Sequence, residues 1–332
     1  MFGTREEFTY AECADCGTLE LLEVPENMAP YYAGSYYSFQ SVGPLTRGER
    51  LKALAHKVKS AGFVGLKKML GEIYRRRSKA FADRAMTRHL LGKRNIVGKI
   101  ALRRFRAAKS RAAWDSTMLG FEKMGVRLGS AILDVGCGNG DLITKLGGAG
   151  LTSLTGIDPF TAESRSLGHH VQLVKETVYE HKGAYDIVML HHSFEHMANP
   201  EAALTEVQRL LKPDGWAMIR IPISDSFVWG YYGVDWVQLD PPRHLFIHTR
   251  KGMGALAGRV GLELISTTCD SSEFQFTASE LYSRDIPLVR QNEQEYFTSD
   301  EIAEFRRRAL DLDEKGEGDQ ATFLLRRRPP EN

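Results

Sequence analysis

The stretch "AILDVGCGNGDLITKL" (131–146) constrains the chain more than any other. An apolar run ends in three glycines spaced two apart and opens onto a segment of helical periodicity, so a strand must turn tightly into a helix. Such a turn brings backbone N–H groups close to a ligand. The same alternation continues downstream. "LTGID" (154–158), "VQLV" (171–174), "YDIVML" (185–190), "WAMIRIP" (216–222), "LELIST" (262–267) and "ATFLLR" (321–326) read as strands. Helices are expected at 140–147, 199–215 and 249–261, the second begun by Asn199-Pro200 and stopped by Pro213-Asp214-Gly215. This pattern predicts an α/β fold with a seven-stranded, doubly wound, mainly parallel sheet that binds ligands at the carboxyl ends of its strands.

The loop itself narrows the ligand. A nucleoside triphosphate loop needs G-x-x-x-x-G-K-[ST], which is missing. A dinucleotide loop needs G-x-G-x-x-G, but Gly136, Gly138 and Gly140 give G-x-G-x-G, and Asp141 stands where the third glycine should fall. Asp134 and Asp141 bracket the turn, and two carboxylates would repel a pyrophosphate while attracting an ammonium and a sulfonium. Asp158, eighteen residues after Gly140, ends the next strand, where a carboxylate can accept both hydroxyls of a ribose. An adenosine with a cationic tail meets all three conditions.

"ILDVGCGNG", Asp158 of "GIDP", "YDIVMLHHSFEHMANP" and "EVQRLLKPDGWAMIRIP" resemble, in order, the motifs of class I S-adenosylmethionine-dependent methyltransferases over about residues 129–268. The resemblance implies a Rossmann-like sheet, S-adenosyl-L-methionine as cofactor and S-adenosyl-L-homocysteine as product. It also implies cofactor-binding roles for Asp134, Gly136, Cys137, Gly138, Gly140, Asp158, Pro159, Thr177 (with Glu176 beside the adenine) and His191. The connection "PFTAESRSLGHH" is short for the usual helix, so a single turn is expected there. The layout further resembles bacterial methyltransferases of saccharide or polysaccharide biosynthesis that carry an N-terminal zinc ribbon. A saccharide, sugar-nucleotide or lipid-linked glycan acceptor follows from that likeness, with a small molecule such as a quinone or polyketide as the alternative.

Two segments offer catalytic groups. "HHSFEH" holds His191, His192, Glu195 and His196; the spacing of His192 and His196 suits metal ligation, but Glu-His after the fourth strand commonly just begins a helix in the resembled family, so no metal is assigned. His192 and His244 are the expected catalytic residues, His244 as a base near neutrality. The aromatic, proline-stiffened segment 224–249 supplies Trp229, Tyr232 and Arg243 as substrate contacts, with Arg243 gripping an anionic group. Tyr36 is a further expected substrate contact: the likeness to sugar methyltransferases with an N-terminal zinc module implies that Tyr36 or Tyr37 of "YYAGSYYSFQ" covers the cofactor, with simple packing of the tyrosines as the alternative. The bland alternative is that His244 caps its loop and the aromatics form a small core.

Charge divides the chain. Residues 41–115 hold twenty-one Lys and Arg against four acidic residues, a net +17 in a chain of +2, which leaves −15 elsewhere. Three parts are therefore expected: a ribbon-like module with the Tyr-rich segment (1–40), a basic helical arm (41–128) and the catalytic domain (129–332). The arm either docks on the acidic body or binds an anionic membrane surface; nucleic acid is not expected without a recognisable module. "CADCG" (Cys13–Cys16) is one knuckle of a four-ligand zinc site. Cys137 and Cys269 do not complete it, so the chain is expected to begin inside a ribbon or to keep the knuckle as a turn, without zinc. Four cysteines, no secretory leader and no long apolar run point to a cytoplasmic protein, peripheral to the inner membrane if the arm binds it. A non-catalytic binding protein would have no need of an intact Asp134–Gly140 loop with Asp158.

Overall fold

A computed structural model describes residues 6–32, 112–168, 170–288 and 292–328. The readings for Tyr36, Tyr37 and nearly all of the basic arm lie outside these residues. Among the described residues no helix is long and apolar enough to cross a membrane.

The central sheet has the order β10-β11-β8-β7-β3-β4-β6-β5. Its strands are β3 (Ala131–Val135), β4 (Ser153–Ile157), β5 (Arg165–Gly168), β6 (Val171–Val174), β7 (Tyr185–His191), β8 (Leu211–Pro222), β10 (Leu262–Cys269) and β11 (Gln320–Arg327). β3 pairs in parallel with both β4 and β7, so the connections diverge between β3 and β7 and open a crevice at their carboxyl ends. Strand alternation fills both faces of the sheet: Leu133, Val188 and Phe323 join one buried cluster, while their neighbours Ile132, Met189 and Leu324 join the other.

Each expected strand is present, and so are the helices α2 (Asp141–Gly148), α3 (Pro200–Leu210) and α5 (Arg250–Arg259). The Asn199 side chain accepts from Ala202 N and starts α3, whereas Thr249 starts α5 by accepting from Gly252 N. Three details differ. The connection after β4 forms no helical turn but an eighth strand, β5, antiparallel to β6. α3 ends at Leu210 and the chain passes directly into β8, because Leu211 already pairs with Tyr185. Helix α1 (Ala112–Met124), assigned to the arm, belongs to the sheet: Phe121 and Met124 pack in its core, and Ser116 Oγ lies 2.7 Å from Thr322 Oγ1.

A second layer covers one end of the sheet. Strands β1 (Tyr10–Glu12) and β2 (Leu19–Leu21) form a hairpin whose tight turn carries Cys13 and Cys16, and β2 pairs with β9 (Phe246–Ile247). The short α4 (Phe227–Tyr232) and the helices α6 (Phe274–Ser283), α7 (Glu293–Tyr296) and α8 (Ser299–Lys315) complete this layer. Leu19, Val228, Trp236, Ile247, Phe276 and Leu312 give it a core of its own. No sequence pattern had marked α6 to α8.

Candidate active site

The β3–α2 turn is held in an unusual conformation. Gly136, Gly138 and Gly140 have φ of 72°, 56° and 84°, which favours glycine. Gly136 also has no room for a side chain, since an added Cβ would lie 2.4 Å from Ser193 Cβ. Ser193 Oγ donates to Val135 O at 2.7 Å, so the loop after β7 is bolted onto the loop after β3. Asp158 ties the turn from the other side: its carboxylate accepts from Gly138 N and from Phe160 N, each at 2.8 Å.

These loops surround a cleft of about 310 Å³. Of the expected cofactor residues, Gly136, Asp158, Pro159 and Thr177 line it, together with Glu176. Gly138 and Gly140 shape the turn without lining the cleft. Asp134 is buried beside Asp158, and desolvation, then the Asp158 charge, pushes its carboxyl up to about 7. Burial also pushes Asp158 up, against the two N–H bonds that lower it. Cys137 requires correction as a cofactor contact. Its thiol turns back into the fold against Gly156, where an added Cβ would meet Sγ at 2.6 Å. His191 requires the same correction, because both of its ring nitrogens are buried without hydrogen bonds and it does not line the cleft.

Reasoning from sequence missed Tyr32, Phe160, Tyr179 and Ser193 in the cleft wall, and noted His196 without giving it a role. Phe160 is 64% exposed and Tyr179 51% exposed, so both offer apolar surface at the rim. Phe160, Tyr179 and Ser193 lie within two residues of a named motif residue, a proximity that would have found them.

The two expected catalytic histidines lack the geometry of a base. His192 sits at φ 51° at the junction of the cleft and a polar cavity of about 110 Å³ lined also by Arg220, Asp270 and Gln275. Its Nε2 meets the Arg220 guanidinium, which only donates, so the ring's lone pair is already engaged. Desolvation, then Arg220, pushes its pKa down to about 3. Arg220 is in turn fixed by Asp270 at 2.6 Å. His244 is buried outside the cleft lining, donates Nδ1–H to Gln238 O at 2.8 Å, and is pushed down to about 4 by burial. His196 alone of the three both lines the cleft and keeps an uncommitted ring lone pair, since its Nδ1 donates to Arg243 O at 2.8 Å.

The expected substrate contacts are also redistributed. Trp229 and Tyr232 pack against the core of the second layer, and Tyr232 OH lies 2.9 Å from Glu280 Oε1. Arg243 is buried, donates to Asp240 and lies 5.8 Å from the Tyr32 ring centre. Its guanidinium is spent on the fold, so an anionic substrate group would have to displace Asp240.

The family model described as a methyltransferase domain matches residues 99–267, half of the chain. The chain belongs to this methyltransferase family. Its cofactor is S-adenosylmethionine. Ubiquinone biosynthesis O-methyltransferases from Salmonella paratyphi A and Sodalis glossinidius are 37% and 35% identical to it over 105 and 104 residues, 28% of this chain in both cases. The chain spans less than half the length of these relatives, 43% and 42%. Among solved structures, the cyclase SpnF superposes with a TM-score of 0.46 at 19% identity, covering 68% of this chain and 84% of that one. A didemethyltoxoflavin N1-methyltransferase from Burkholderia thailandensis gives 0.41 at 14% identity, covering 67% and 80%.

The residues present fit S-adenosylmethionine. Two buried carboxylates behind a glycine turn suit a cationic ligand, the Gly136 approach leaves space only for backbone, and the cleft volume is of the order such ligands need.

Proposed function

We propose that this methyltransferase domain moves a methyl group to an oxygen of a small-molecule acceptor. The observation that carries the reading is the cleft between the β3 and β7 loops, with Asp134 and Asp158 on one side and His192 opening onto the smaller polar cavity on the other. The larger space suits the cofactor and the smaller one a polar part of the acceptor. When bound, S-adenosylmethionine supplies an electrophilic methyl carbon on a sulfonium. The chain's own task is alignment and exclusion of water, which together account for much of the acceleration of a direct displacement. Asp158 fixes the turn, Asp134 supplies negative charge behind it, and Phe160 and Tyr179 close the rim. Burial, with the Arg220 charge beside it, holds His192 neutral at the junction, where Nδ1–H is its remaining donor. Gly136, Asp158, Pro159 and Thr177 would hold the cofactor, and the transfer it would supply leaves the acceptor's hydroxyl proton to pass to solvent or to a base.

The small-molecule acceptor is favoured over the saccharide because the named relatives act in ubiquinone biosynthesis as O-methyltransferases. Calorimetric titration with S-adenosylhomocysteine, followed by methyl transfer from labelled cofactor to phenolic and to saccharide acceptors, tests both parts. Binding with phenol-selective turnover is expected. Selective methylation of saccharides would overturn the acceptor class, and absence of binding would overturn the whole reading.

A further inference from the structure

Glu195, His196 and His244 converge, with one ligand atom from each lying within 4.8 Å of the others. The one-turn helix 194–196 after β7 turns Glu195 inward, fully buried, and presents His196 to the cleft. Both imidazoles have their tautomers set by backbone carbonyls: His196 Nδ1–H donates to Arg243 O and His244 Nδ1–H to Gln238 O, each at 2.8 Å. Each ring is thereby left with its Nε2 lone pair, and the two rings stand edge to face at 4.9 Å. A carbonyl behind a ligating histidine is the usual orienting partner in a metal site.

The second observation is the Glu195 carboxylate. Both of its oxygens are buried and neither has a hydrogen bond. His192 Nδ1 lies 3.4 Å from Glu195 Oε1, without hydrogen-bond geometry. An unpartnered carboxylate in the interior is costly unless it is paired or bound to a cation. Two acceptor nitrogens cannot pair with it, but a cation between all three groups satisfies every one of them. Asp240 stands next to the cluster, 3.8 Å from His244 Nε2, and its charge is met by Arg243.

We propose that Glu195, His196 and His244 form a binding site for one first-row divalent metal ion, of which zinc is the natural occupant. Two imidazoles and one carboxylate are a donor set that zinc takes in sites with an open fourth position. Of the three ligands only His196 lines the cleft, so the open position faces it. Resting on the methyl-transfer reading above, that position would receive the acceptor oxygen and ease loss of its proton. The metal site itself stands independently of that role.

The hairpin thiols are the competing zinc ligands, because Cys13 is exposed and Cys16 is part-exposed. The test therefore uses the full chain with Cys13→Ser and Cys16→Ser, stripped with a chelator and titrated with cobalt(II), then with zinc. The expected result is one cobalt per chain with visible bands of a nitrogen–oxygen site, displaced by one zinc. His244→Ala and the near-isosteric Glu195→Gln should each weaken zinc by about 100-fold or more. S-adenosylhomocysteine titration and circular dichroism report whether each variant is folded, and Glu195→Gln keeps the test alive if His244→Ala does not fold. Absence of cobalt in the serine background would overturn the proposal, as would binding that survives both substitutions. Metal binding without methyl transfer would leave the site standing and strike only the functional reading.

Discussion

The two walls of the cleft are built by opposite means. The wall carrying Asp134, Gly136 and Asp158 comes from strand ends and the turns directly after them, so each residue is placed by local geometry and neighbouring strand register. The second layer behind the facing residues Tyr32 and His196 is assembled from distant pieces. Tyr10 OH donates to His244 O at 2.7 Å, Leu245 N donates to Glu195 O at 2.8 Å, and Trp236 Nε1 donates to Asp319 Oδ2 at 3.0 Å. One wall is a motif and the other a tertiary arrangement. The motif wall should therefore tolerate almost no change at particular positions, while the opposite side should lose stability before it loses cofactor.

The largest effect should come from Gly136→Ala. Its Cβ would overlap Ser193 in a left-handed backbone, and S-adenosylhomocysteine affinity should fall at least about 100-fold by calorimetry. Gly125→Ala, at a similar φ of 68° but with nothing within 4 Å, should cost only about 1 kcal/mol of stability and leave binding intact. Equal losses in both would show that backbone conformation, and not the fit of the two loops, controls the site.

Next in size is Trp236→Phe in the core of the second layer. Asp319 would keep the Gln238 amide but lose the indole N–H, and desolvation already pushes this carboxyl up. Denaturant unfolding should show a loss of about 2 kcal/mol with cofactor affinity unchanged. A matching fall in affinity would mean that the two walls are not separable.

Smaller still is the effect of acidity. Asp134 titrates at about 7 without ligand, so below that pH it is protonated and contributes no charge. Binding of a cation should weaken by up to about tenfold per pH unit as pH falls below 7, with a proton released on binding near neutrality. For the protein without cofactor the sign is reversed. A raised carboxyl pKa means the folded state holds the extra proton, so Asp134 costs stability as pH climbs from its unfolded value towards 7. Asp134→Asn should remove both slopes, readable from calorimetry in two buffers and from unfolding at pH 5 and pH 8. Smallest is Tyr232→Phe, which removes one part-exposed bond to Glu280 and should cost no more than about 1 kcal/mol, with turnover unchanged. A large drop in turnover would restore Tyr232 to the substrate.

The same contrast explains what could be read beforehand. The strands, α2, α3, α5 and the Asp134–Asp158 frame were legible because periodicity, caps and glycine spacing are local signals. The eighth strand was not, since "RSLG" carries no strand signal and forms only by completing an edge beside β6. Trp229 and Tyr232 looked like a substrate wall because aromatics near a strand end suit either role, and only the packing of α6 and α8 shows which one they serve. His192 and His196 had metal spacing, yet Arg220 claims the first ring and His244, forty-eight residues further on, meets the second. Spacing along the chain could not show that partner.

The hairpin's attachment also has a consequence in time. Thr249 Oγ1 donates to Cys16 O across 233 residues, and β2 finds its partner strand only at Phe246–Ile247. During synthesis at roughly 5–20 residues per second, the hairpin must wait on the order of ten seconds or more for that strand. A two-stranded hairpin is marginal alone, so this segment, made well before its partner strand, should be among the last to become protected from proteolysis on the ribosome.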